Sequence, residues 1–283
     1  MSRRDDLLEE LGLGPRWVRR DAPAAPSGEI EAAPPVVETP RERAEVNART
    51  EAPTPATRQT PVKPAAAAEA PVTEGTSAER AEAILRMDWA ALEAEVSVCQ
   101  ACGLCARRNK TVFGVGDREA DWLFVGEGPG ADEDAKGEPF VGQAGKLLDN
   151  MLAAIGLVRG QDVYIANIVK CRPPGNRNPE PGEARQCMPY LQRQVDLIRP
   201  RLIVALGKVA ATNLLGAEEP ITRLRGRQLD YRGIPLLVTY HPAYLLRSLA
   251  EKAKAWEDLC FARETMARLR SGDGTPGDSR DRP

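Results

Sequence analysis

Four short, almost uninterrupted apolar runs, each followed by helical periodicity, constrain this chain more than any other feature. Asp121-Trp-Leu-Phe-Val-Gly126, Val163-Tyr-Ile-Ala-Asn-Ile168, Arg201-Leu-Ile-Val-Ala-Leu206 and Pro235-Leu-Leu-Val-Thr-Tyr240 read as strands. Helical patterns follow over Gln143 to Ile155, over Glu183 to Ile198, through Leu215, and through about Leu269 at the C-terminal end. Strands that lack polar alternation are buried on both faces, and regular alternation with helices implies a parallel sheet covered on each side. The expected fold class is α/β, a three-layer α/β/α sandwich around a four-stranded parallel sheet. Open sheets of this kind bind ligands beyond the carboxyl ends of their strands, so function is sought at the four strand exits.

The chain before the first strand is different in kind. Residues 21–77 are rich in Ala, Pro, Glu and Thr and contain no aromatic residue. Such a stretch cannot bury enough apolar surface to offset roughly 1–2 kcal/mol of backbone ordering per residue. A disordered linker is expected there, joining a short motif at 1–20 to a folded domain over 78–270, with a disordered tail at 271–283. In the motif, Leu7, Leu8, Leu11 and Leu13 form one apolar side, and Gly12 and Gly14-Pro15 would end a helix. Apolar anchors and Trp17 at the far end of a solvated tether suit a peptide that docks on a partner.

A formal net charge of -2 excludes a wholly basic nucleic-acid binder but leaves room for a local basic groove. Two stretches qualify: Arg223, Arg225, Arg227 and Arg232, and Lys170-Cys-Arg172 through Arg177. There is no apolar run of the ~18 residues that a membrane span needs. The charged N-terminus also lacks the apolar core of a secretory signal. A cytoplasmic monomer is expected.

The first strand exits into Gly126-Glu127-Gly128-Pro129-Gly130, whose glycines let a ligand approach the backbone, and Glu127 and Glu133 flank that approach. The turn lacks the Lys-Ser/Thr ending of a P-loop, which argues against a nucleotide-phosphate site. Phe140 follows closely and is placed to stack on a planar ligand. Asn167, an amide within an apolar strand, offers a donor and an acceptor together, as the edge of a pyrimidine requires. The fourth strand exits into His241, the only histidine of the chain. Its neutral imidazole can donate to a developing oxyanion. Leu245, Leu246 and Arg247 beyond it read as an exposed apolar tip carrying one cation.

Cysteine spacing is the sharpest signal. Cys99, Cys102 and Cys105 lie close together, and Cys171 and Cys187 follow the second strand. Two pairs of thiolates would close a long loop around a metal site, with zinc and iron–sulfur both compatible with the spacing. Cys260, in the middle of the last helix, is expected to be buried.

These motifs together resemble the family 4, iron–sulfur class of uracil-DNA glycosylases, over roughly Glu93 to Ala267. The stretches that carry the resemblance are GEGPGADEDAKGEPFVGQAGKLL, YIANIVKCRPPGNRNPEPGEARQC and TYHPAYLLR. It implies removal of uracil from DNA and a [4Fe–4S] cluster on Cys99, Cys102, Cys171 and Cys187, with Cys105 left out. By the same resemblance, Phe140 stacks on the flipped base, Asn167 reads its edge, and Glu133 lies against C5 and excludes thymine. Gly126 backbone and His241 stabilise charge on O2. Glu127 positions water, and Leu245, Leu246 and Arg247 wedge into the DNA. The Lys-Arg-Arg-Ile-His insert of relatives that trap DNA covalently is missing, so turnover is expected. The alternative is a non-catalytic, cluster-bearing DNA-binding replisome accessory. Residues 2–20 resemble the N-terminus of the psi subunit of the bacterial polymerase III clamp loader, which implies the chi subunit as partner.

Overall fold

The computed structural model describes residues 74–272. The motif at 1–20 lies outside the described residues, as do the linker up to residue 73 and the tail beyond residue 272; the expected linker bound is corrected, because Glu74–Ser77 open a helix, and the last helix runs on to Ser271. Contacts divide the chain into Met1–Ala66 and Ala67–Pro283, and the second unit contains everything that follows.

Two helices, α1 (Glu74–Leu85) and α2 (Trp89–Val98), precede the sheet, the second capped by Asp88 accepting from Ala91 N at 2.9 Å. Neither stood out in the sequence, because α1 mixes small and charged residues. The sheet strands are β1 (Val115–Gly116), β2 (Trp122–Gly126), β3 (Val163–Asn167), β4 (Leu202–Leu206), β5 (Leu229–Tyr231) and β6 (Ile234–Thr239). Their spatial order is β1-β3-β2-β4-β6-β5. The central four are parallel, in agreement with the sequence, while β1 and β5 add short antiparallel edges. Strands of two and three residues carry no periodic signal, so these edges were not foreseen.

The helices are α3 (Ala131–Lys136), α4 (Gln143–Ala154), α5 (Pro181–Ile198), α6 (Lys208–Leu215), α7 (Ile221–Leu224), α8 (Pro242–Arg247) and α9 (Lys252–Ser271). Successive strand residues point to opposite faces, and the core divides accordingly. Leu123, Val125, Ala166, Ile203 and Val238 pack with α1, α2, α5 and α6. Phe124, Ile165, Val204 and Leu237 pack with α4, α8 and α9 on the other face. Each fully buried Leu, Ile or Phe contributes about 1.5–3 kcal/mol, so both faces are needed to hold strands that have no polar side. This is the expected three-layer sandwich.

β2 lies in the middle of the parallel set: the chain leaves it for β3 on one side, then crosses to β4 on the other. The crevice at that reversal lies beyond Gly126, where open α/β sheets place their ligands.

Candidate functional site

Gly126 and Asn167 are register partners at the ends of β2 and β3. A Cβ on Gly126 would stand 2.5 Å from Asn167 Oδ1 and 2.5 Å from the Phe140 ring. The missing side chain therefore lets an amide and an aromatic ring converge on one spot. Asn167 is 2% exposed, and its Oδ1 is buried without a hydrogen-bond partner. A buried acceptor left unpaired costs about 1–3 kcal/mol, and it marks where a ligand donor belongs.

Phe140 holds a left-handed backbone (φ 55°), which a bulky residue adopts only when its surroundings impose it. Two contacts impose it. Arg159 donates to Pro139 O at 3.1 Å and to Phe140 O at 2.8 Å while pairing with Asp149. Gly145 on α4 lets the Phe140 carbonyl approach to within 1.8 Å of where a Cβ would sit. Neither Arg159 nor Gly145 carried a sequence signal for this role.

Glu133, in the first turn of α3, accepts from Gly130 N at 3.0 Å through one oxygen. Its other oxygen accepts from Val141 N at 2.9 Å and Gly142 N at 3.0 Å. Its carboxylate ties the glycine-rich turn to the Phe140 loop and is itself held rigid. Glu127 follows Gly126; burial pushes its carboxyl up, and the Arg247 charge opposes that.

His241 caps α8 and stands 5.5 Å from Phe140, ring centre to ring centre. Its Nδ1 accepts from Ala243 N at 3.2 Å, so in the neutral ring the proton sits on Nε2, free to donate. Burial, and secondarily the nearby Arg247 charge, lower its pKa to about 4, with Glu133 opposing. Gly207, after β4, makes room for this ring: a Cβ there would be 2.9 Å from His241 Cβ. A glycine directly after a strand run was the available signal for it, and it was overlooked.

Three expectations are corrected. Leu245 is not part of an exposed tip: it is 1% exposed and packs in the core where α8 meets α4. The hexapeptide 242–247 closes into a helix, which turns Leu245 inward and leaves Tyr244, Leu246 and Arg247 outward. The basic stretches are largely committed within the fold as well. Lys170 is buried, Arg225 pairs with Asp258, Arg232 with Asp196, and Arg177 with Glu180 and Glu183. Cys260 is only partly buried.

Cys99, Cys102, Cys105, Cys171 and Cys187 line one recess with Val96, Arg108 and Tyr190. Among the described residues, no three Cys, His, Asp or Glu side chains gather closely enough for a single metal ion. Arg108 donates to Cys171 Sγ at 3.2 Å and Arg80 to Cys99 Sγ at 3.6 Å. Burial pushes the Cys102 and Cys171 thiols up and Cys187 to about 12. Cys102 interacts electrostatically with Cys99, Cys171 and Cys187, whereas Cys105 meets Cys171 and Arg108.

The reversal point of the parallel strands thus brings together a buried amide with an unpaired oxygen, an aromatic ring and an imidazole. Residues 113–260 match the uracil DNA glycosylase superfamily, and the chain belongs to that family. Within it, the chain is 48% identical over 160 residues to the type-4 uracil-DNA glycosylase of Archaeoglobus fulgidus, covering 54% of this chain and 80% of that one. It is 44% identical over 161 residues to the type-4 enzyme of Thermotoga maritima, covering 56% and 83% respectively. To the type-4 enzyme of Pyrobaculum aerophilum it is 40% identical over 190 residues, covering 62% and 93%.

Proposed function

We propose that this uracil-DNA glycosylase carries out its DNA-repair reaction with Asn167, Phe140, Glu133, Glu127 and His241 in the pocket beyond β2. Uracil must leave the base stack before its glycosidic bond is reachable, at a cost of a few kcal/mol. Phe140 stacks on the extruded ring. Asn167 donates Nδ2–H to O4 and accepts N3–H at Oδ1, a pattern that cytosine reverses. The buried, unpaired Oδ1 is the observation that carries this reading. Glu133, clamped by three backbone N–H groups, cannot swing aside for a 5-methyl group and so rejects thymine.

As the N1–C1′ bond breaks, the electron pair moves into the uracil ring and charge collects on O2. His241 Nε2–H and backbone N–H groups near Gly126 stabilise it. Glu127 orients water, whose oxygen bonds to C1′ while its proton passes to the carboxylate. The products are an abasic site and free uracil. Leu246 and Arg247, on the exposed face of α8, occupy the space that the extruded nucleotide leaves. A non-catalytic accessory would have no use for a buried amide oxygen left unpaired beside an aromatic ring.

Cys99, Cys102, Cys171 and Cys187 are the residues that would hold a [4Fe–4S] cluster. The donor set fits: the four thiols stand around one recess, burial raises those of Cys102, Cys171 and Cys187, and two guanidinium donors are placed to stabilise thiolates. When bound, the cluster supplies a rigid cross-link between the segment after α2, the loop after β3, and α5. Protein purified without oxygen is expected to contain iron and sulfide in equal amounts and to absorb broadly near ~400 nm. Stoichiometric zinc in their place would overturn the cluster assignment.

The enzyme works as a cytoplasmic monomer, and residues 2–20 dock on the chi subunit of DNA polymerase III through the linker at 21–77. The Leu7, Leu8, Leu11 and Trp17 anchors support this. A peptide spanning residues 2–20 should bind chi saturably; no signal at tens of micromolar would remove the proposal.

A further inference from the structure

Lys170 is fully buried, and its partners are neutral oxygens. Its Nζ donates to Asn167 O at 3.0 Å and to Gln194 Oε1 at 2.7 Å. Its backbone N–H donates to Cys187 Sγ at 3.2 Å. Cys187 and Gln194 sit seven residues apart on α5, two turns along one face. One residue thus grips α5 at two points and reaches back to the strand end that presents the base-reading amide.

The Asn167 carbonyl needs such a partner. β1 pairing stops at Ile165, so although β3 stays paired with β2 through Asn167, the Asn167 carbonyl has no strand partner on its other side. A charged donor forms a stronger bond there than a neutral one, and a stem packed inside the core has little freedom to move. Gln194 is fixed in turn, donating to Phe113 O at 2.9 Å. A burial this complete is costly for an ammonium group without a carboxylate, so a merely structural role would be better filled by an apolar side chain.

We propose that Lys170 is a positioning residue that transmits the placement of the cysteine-bearing helix α5 to Asn167, and so sets how tightly the pocket reads uracil. This rests on the reading of Asn167 as the residue that pairs with the base.

The test compares Lys170→Met with the full-length wild-type protein, following inhibition by free uracil and affinity for DNA carrying a tetrahydrofuran abasic analogue. Weaker inhibition by uracil, roughly tenfold, with abasic-DNA affinity and visible absorbance unchanged, is expected. A double variant with Asn167→Ala should then be no worse than Asn167→Ala alone. Unchanged uracil inhibition, or an equal loss of abasic-DNA affinity, would overturn the inference. Should Lys170→Met not accumulate as folded protein, Gln194→Met, which leaves the lysine in place, must show a smaller loss of the same kind; no loss would overturn the inference. If Asn167→Ala itself leaves uracil inhibition intact, the base-reading assignment has failed and this inference falls with it. If only the Lys170 and Gln194 variants are silent, the base-reading assignment stands.

Discussion

Asn167→Asp is expected to lower single-turnover uracil excision by about 10²–10³-fold while binding to abasic DNA stays near wild type. The substitution keeps the shape and one acceptor oxygen of the amide. It removes the Nδ2–H donor that the proposed pairing offers to O4 and puts a carboxylate oxygen in its place. Asn167 is almost wholly buried and the Phe140 ring lies close by, so an unmatched charge there is costly. Single-turnover kinetics on a uracil-containing oligonucleotide, beside abasic-analogue binding, make the comparison. A loss of less than ~5-fold would mean that the amide does not contact the base.

His241→Ala should cost a similar ~10²–10³-fold in the chemical step, the usual range for deleting one oxyanion donor. The donor is Nε2–H, because Ala243 N occupies Nδ1. Its pKa of about 4 keeps the ring neutral from pH 5 to 8, so the wild-type rate should show no inflection at the ordinary histidine value of ~6.5. An acid limb above the ordinary carboxylate range belongs instead to Glu127, whose carboxyl burial pushes up. The sign for stability follows from the depressed value. Between roughly 6.5 and about 4 the unfolded chain binds a proton that the folded one does not, so stability falls as pH drops through that window. Thermal unfolding of His241→Ala should show a flatter dependence there. An inflection at ~6.5 in the wild-type rate, absent from the variant, would mean that a protonated imidazole acts instead.

The four parallel strands were legible because each is a continuous apolar run bounded by Gly, Pro or a charge, and burial on both faces leaves no other solution. The residues that the fold brings together could be singled out where chemistry is unusual for its setting: an amide in an apolar strand, a lone histidine at a strand exit, cysteines in pairs. What escaped notice depends on three-dimensional closure. Arg159 is one surface arginine among many until its guanidinium meets the Phe140 carbonyl. Lys170 read as part of a candidate basic groove because a neighbouring arginine and cysteine say nothing of the helix that covers it. Leu245 read as a wedge because a six-residue helix after His241-Pro242 has too few residues to show a period, and only its winding decides which leucine faces the core.

The pairing of Gly126 with Asn167 also has a consequence for how the enzyme comes into being. The proposed binding spot is made by the last register pair of two central strands, with a ring from one connection and an imidazole from another beside it, so it needs several segments of the chain brought together. Refolding protein should therefore regain affinity for free uracil in one step with sheet closure, not gradually. A nascent chain would remain inert toward genomic DNA until its C-terminal third has been added, since β6 and His241 come last.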